Sequence, residues 1–141
     1  MNHPPAQPPH WTLKLGLYGN AMFSLVSAGV LVFGATPVAA RMGFQWSGIL
    51  IVVGLMLIPF AVHVFIAAQR DRLNQSEIVY FCAMDALWIL ASIALLLTRV
   101  IPLNSFGVWA IAIIALFVAY FLLLQLFGLV RSLRALTVRT I

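Results

Sequence analysis

IVYFCAMDALWILASIALLLTR, residues 78–99, is nearly unbroken apolar sequence interrupted by one carboxylate, Asp85. A helix needs about 20 such residues to cross a bilayer, and this run supplies them. A carboxylate in that setting costs on the order of 3 kcal/mol. A partner side chain, water, a proton or a ligand must offset that cost. The rest of the chain is read as the surroundings of this residue.

The composition agrees with lipid as the main solvent. Of 141 residues, 64% are hydrophobic and 8% charged, with a mean hydropathy of +1.09. Soluble domains lie near 45–50% apolar and about 25% charged. The length suits one domain. A net charge of +5 and a pI near 10.4 raise the question of nucleic acid. The basic residues do not form a patch interleaved with aromatics, so no nucleic-acid partner is expected. They sit at the ends of apolar segments, where membrane topology and anionic headgroups account for them. Cys82 is the single cysteine, which excludes an intramolecular disulfide and a Cys-x-x-Cys site. The opening MNHPPAQPPH lacks the features of a signal peptide and reads as a short Pro-rich cytosolic tail, residues 1–10.

Four segments are long enough to span: about residues 11–33, 44–68, 78–98 and 106–130. Gly34-Ala35-Thr36-Pro37, the polar run from Gln69 to Glu77, and Pro102-Leu103-Asn104-Ser105 separate them. Short connections make neighbours antiparallel. The expected fold is therefore all-α, a polytopic membrane protein built as an up-down-up-down four-transmembrane-helix bundle. Lys14, Arg70, Arg72, Arg131, Arg134 and Arg139 fall on one side, against Arg41 and Arg99 on the other. That bias predicts a multi-pass protein of the plasma (bacterial inner) membrane with both termini cytoplasmic.

A weak repeat appears when the first segment is laid on the third with an offset of 65 residues. Asn20 then falls on Asp85, Ala21 on Ala86, Leu25 on Leu90, Ser27 on Ser92, Leu31 on Leu96 and Pro37 on Pro102. Such a repeat describes two helical hairpins related by an axis along the membrane normal.

Depth yields the candidate site. Asn20, His63, Asp85 and Gln125 each lie roughly 9–13 Å from the cytoplasmic end of their own segment, at 1.5 Å per residue. Ser27 and Ser92 follow two turns further in on the same faces, and Tyr120 precedes Gln125 by five residues. Intramembrane polar groups face a bundle interior or a watery cavity, so these seven form the expected polar cluster. The plain reading is that its hydrogen bonds fix helix register. The sharper one is a protonatable site, with Asp85 as carrier and His63 as partner. His63 is also the one place for a haem or pigment. The other histidines, His3 and His10, precede the first span, so no bis-His site forms within one chain. Otherwise no cofactor and no metal site is expected.

Smaller features complete the reading. Pro59 is expected to kink the second helix. Gly16, Gly19, Gly29, Gly48 and Gly54 favour close helix contacts. Cys82 reads as a packing residue. Arg70, Asp71, Arg72 and Glu77 read as a solvated loop with weak ion pairs. RSLRALTVRTI, residues 131–141, continues the fourth helix and sets Arg131, Arg134 and Arg139 against anionic headgroups.

Gly19-Asn20-Ala21, Asp85-Ala86-Leu87-Trp88 with Ser92, and Gln125 before Gly128-Leu129 resemble a pattern of uncharacterised bacterial integral membrane proteins of about this length. The resemblance covers most of the chain. It implies the four-helix fold and transfers no activity and no functional residue. Similarity to small multidrug transporters stops at four short helices with one buried acid. Their acid is in the first helix, where this chain has Asn20.

No nucleophile-base-orienter set, metal spacing or phosphate loop is present, so no enzyme is expected. The expected function is an accessory subunit or small-ligand-binding membrane module with a buried polar layer. The alternative is a proton- or cation-coupled transporter or channel using Asp85 with His63. A homo-oligomer or larger membrane complex fits either.

Overall fold

The computed structural model describes residues 11–70 and 73–137, with side chains through Arg131. It is all-helical: α1 Trp11–Phe33, α2 Ala35–Met42, α3 Ser47–Gln69, α4 Gln75–Thr98 and α5 Ser105–Thr137. Four of these, all but α2, are long and apolar enough to cross a membrane. α3 runs unbroken through Pro59, and α5 carries on without a break into the basic C-terminal segment. Arg72 and Arg139 lie outside the described residues, as does the side chain of Arg134.

α2 corrects the expectation of a simple turn after the first span. Gly34 bends the chain, its amide still donating to Val30 O at 2.8 Å, and helix resumes one residue later. Pro37 does not stop it, because Pro37 stands in the first turn, where no intrahelical acceptor waits for an amide. α2 ends at Gly43, whose φ of 87° is the left-handed cap that glycine adopts without a Cβ penalty. Ala39 and Met42 of α2 join Phe44 in a small apolar cluster, against which Leu50, Ile101, Leu103 and Ile111 pack. α2 thus closes one end of the molecule.

Asn104 fastens that end. Its amide nitrogen Nδ2 donates to Arg41 O at 2.8 Å, and its backbone N–H donates to Met42 O at 3.0 Å. Its Oδ1 accepts from Gly107 N at 2.9 Å, the N-cap bond of α5.

α1 is the central helix, packed against both α3 and α5, while α4 takes its close backbone neighbour from α5. Glycine decides this asymmetry. A Cβ on Gly128 would sit 2.6 Å from Leu13 Cβ, one on Gly19 2.6 Å from Phe121 Cε1, and one on Gly16 3.0 Å from Leu124 Cβ. α1 and α5 therefore approach as closely as backbones allow. In the 65-residue repeat, Gly16 and Gly19 correspond to Phe81 and Met84 of α4. Phe81 is fully buried and meets Phe60 and His63 of α3 edge-on, with ring centroids 6.1 and 5.0 Å away. The bulk of Phe81 holds α4 off α3, so the two hairpins are not packed equivalently. Gly54 admits α1, a Cβ there lying 2.8 Å from Val32 Cγ2, whereas Gly29 and Gly48 face open space and take no part in the close contacts expected of them.

The interior combines small and polar residues with a few large apolar ones, Leu13, Leu17, Val64, Ile78 and Phe81. Asn20, Ala21, Ser24, Ala28, Ala61, Ala67, Ala68, Asp85 and Gln125 are buried, while Val26, Met56, Leu90, Leu97, Leu116, Leu123 and Phe127 are exposed. Small residues inside let backbones approach, and large apolar ones outside match a hydrocarbon solvent. Trp11, Trp46 and Trp109 are exposed near helix ends.

Candidate functional site: a hydrogen-bond chain centred on Asp85

Asn20 lies on the face of α1 that carries Leu13, Gly16, Leu17 and Ser24, all buried. Asp85 lies on the face of α4 that carries Ile78, Phe81, Cys82 and Ser92. Gln125 projects from α5 one turn before Leu129, in the stretch that packs on α1. These three helices bring the three polar side chains to one point.

Both amides donate to the same oxygen. Asn20 Nδ2 reaches Asp85 Oδ2 at 2.7 Å and Gln125 Nε2 reaches it at 2.9 Å. Behind each amide stands a further donor. Ser24 Oγ donates to Asn20 Oδ1 at 3.3 Å, and Cys82 Sγ lies 3.9 Å from Gln125 Oε1, a weak thiol hydrogen bond. The chain runs inward from both sides, hydroxyl to amide to carboxylate and thiol to amide to carboxylate. The carboxylate, acceptor-only when ionised, turns the asparagine NH2 to Asp85 and leaves Oδ1 to accept from the Ser24 hydroxyl. Asp85 is 3% exposed, Asn20 1% and Gln125 0%, so each bond replaces a hydration that the interior does not supply. Among the described residues, Oδ1 of Asp85 receives no donor.

The other expected members lie elsewhere. His63 is not in the chain. The inward face of α3 runs through Gly54, Ala61, Val64, Ala67 and Ala68, and His63, one residue from Val64, is turned away by about 100°. Its Nε2 lies 3.6 Å from Glu77 Oε1, and its side chain is 47% exposed. Glu77 also holds Arg70 through both carboxylate oxygens at 2.8 Å. The common depth failed for a second reason: α4 begins at Gln75, which sets Asp85 ten residues and roughly 15 Å in. Glu77, rather than Asp85, is thus the acid His63 meets. Tyr120 is 56% exposed and Ser27 half-buried. Ser92 is buried but spends its hydroxyl on Trp88 O of its own helix, at 2.8 Å.

Ser24 went unnoticed in the sequence although it stands four residues from Asn20, the spacing that shares a helix face. Trp88 Nε1 is a further surprise, buried with no hydrogen-bond partner among the described residues. Of the arginines expected at a membrane surface, Arg70 is engaged by Glu77, and Arg131 lies over the Phe127 ring at 5.5 Å. Among the described residues, no three His, Cys, Asp or Glu side chains gather to hold a metal.

Comparison with protein-family models, with curated proteins and with solved structures found no match. The chemistry of the site therefore rests on its geometry: one carboxylate oxygen that accepts from two amides.

Proposed function

We propose that the chain is a non-catalytic, four-span protein of a bacterial inner membrane, an accessory subunit or small-ligand-binding module. In this reading the Asp85 chain locks α1, α4 and α5 in register. The apolar exterior and small-residue interior favour lipid as solvent, and the six-to-two distribution of Lys and Arg favours cytoplasmic termini. The observation that carries the reading is the convergence of Asn20 and Gln125 on Asp85 Oδ2. A single acceptor shared by two helices fixes the height of both against a third.

The test is Asp85→Asn. The new amide oxygen still accepts from Asn20 and Gln125, so thermal stability in detergent should stay within about 1 kcal/mol of wild type. A cooperative loss well beyond that would refute the register reading. A second reading, a proton- or cation-coupled transporter, draws support from the Asp85 oxygen that no donor engages. His63 no longer serves as its relay, since it pairs with Glu77. Proteoliposome flux that is present in wild type and lost in correctly folded Asp85→Asn would favour this reading over the first.

A further inference from the structure

At the opposite end from the Arg70–Glu77 pair, the α4–α5 turn borders an open recess of about 400 Å3. That volume lies within the range of small-molecule sites. Its apolar lining includes Leu95, Leu96 and Val108, while Arg99, Ser105 and Trp109 supply its polar groups. Arg99 is the one described non-glycine residue with a positive φ, 51°, and it forms the C-cap of α4. Glycine or asparagine ordinarily takes the left-handed position, and arginine there sets a cation at the C-terminal end of α4. Among the described residues the Arg99 guanidinium has no ion-pair partner, and no carboxylate lines the recess. Ser105 opens α5, a helix of 33 residues, whose partially positive N-terminal end meets the partially negative C-terminal end of α4 here, so the net charge of the recess is that of Arg99. The recess thus combines one cation, Arg99, with apolar side chains.

We propose that this recess binds an anionic phospholipid, with the phosphodiester on Arg99 and Ser105 and the first methylenes against Leu95, Leu96 and Val108. Arginine suits a phosphodiester because its planar fork donates two parallel hydrogen bonds to one phosphate. Trp109 supplies an indole at the depth where headgroup meets hydrocarbon. A carboxylate-free lining selects anionic over cationic headgroups. The site rests on the membrane-spanning reading above.

The experiment measures thermal unfolding of detergent-purified full chain with added phosphatidylglycerol, phosphatidylcholine or inorganic phosphate. Phosphatidylglycerol should raise the wild-type Tm in a dose-dependent way by roughly 3 °C or more. Phosphatidylcholine and inorganic phosphate should not. Arg99→Gly suits the left-handed cap and should fold, yet its Tm should no longer respond to phosphatidylglycerol. Arg41→Gln removes a charge outside the recess and should leave the response intact. A response that survives in Arg99→Gly, that phosphatidylcholine or inorganic phosphate reproduces, or that Arg41→Gln abolishes equally would overturn the site. Carbonate washing of cell membranes separates this from the parent reading. Release of the chain by carbonate refutes membrane spanning, whereas a retained chain without an Arg99-dependent response refutes only the lipid site.

Discussion

Gly128→Ala tests the contact that holds the central helix against α5. The added Cβ would stand 2.6 Å from Leu13 Cβ, 2.9 Å from Leu13 Cα and 3.1 Å from Leu13 N. Carbon atoms rest about 3.5–4.0 Å apart, so roughly 1 Å must be found. A flexible side chain could supply it by turning away, but two of these atoms are backbone. α1 and α5 must therefore separate. Overpacking of this kind costs about 1–3 kcal/mol, offset by up to about 1 kcal/mol from replacing glycine within a helix. A net loss of about 1–2 kcal/mol is expected. Gly29→Ala is the matched control, since nothing lies within 4 Å of its Cβ and its stability should hold or rise. Separation also has a chemical signature. Asp85 belongs to α4, which packs on α5, so moving α1 away stretches the 2.7 Å bond from Asn20 and spares the one from Gln125. A further ~0.8 Å would end it as a hydrogen bond. In a double-mutant cycle, Gly128→Ala and Asn20→Ala should then be less than additive by about 0.5–1.5 kcal/mol. Unfolding of the four proteins in mixed micelles gives the numbers. A Gly128→Ala protein as stable as Gly29→Ala, or full additivity with Asn20→Ala, would refute the argument.

Three further substitutions probe the α2 end of the fold, the histidine and the Asp85 site. Asn104→Ala removes the α5 cap and the tie to Arg41 O together and should cost about 1–2 kcal/mol in the same unfolding assay. An effect near zero would mean that α2 closes its end through apolar contacts alone. His63→Ala should cost about 1 kcal/mol, because it loses a half-exposed contact with Glu77 and ring contacts with Phe81 and Tyr80. Gln125→Ala should cost clearly more, as it leaves Asp85 short of a buried donor. Equal losses from these two would contradict the placement of His63 beside Glu77.

The spans were legible because long apolar runs and polar breaks are one-dimensional signals. The first predicted segment, residues 11–33, coincides with α1, and the others differ from their helices mainly at the ends. α2 was hidden because Gly34 and Pro37 are breakers in general and harmless where they stand. In the site, Asn20, Asp85 and Gln125 do meet, while depth along the chain assigned His63 to the same layer and the structure does not. Height follows from counting residues, but azimuth needs an apolar stripe to orient the helix, and a helix apolar all round has none. α3 is such a helix, with Val62, Phe65 and Ile66 exposed and Val64 buried. The repeat carried more than it first implied. Its aligned polar pair, Asn20 and Asp85, are direct partners, and its glycine-to-phenylalanine exchange at Gly16 and Phe81 accounts for the broken symmetry of the packing.

Synthesis from the N-terminus imposes an order on how the shared oxygen of Asp85 gains its donors. If the chain enters a bilayer as it is translated, α4 arrives with its carboxylate before α5 has been made. Gln125 lies 40 residues downstream and cannot yet contribute. Asn20, 65 residues upstream, is already in place on α1, with Ser24 one turn away on the same helix. The earliest helix thus receives the acid, and the last one to emerge completes its coordination.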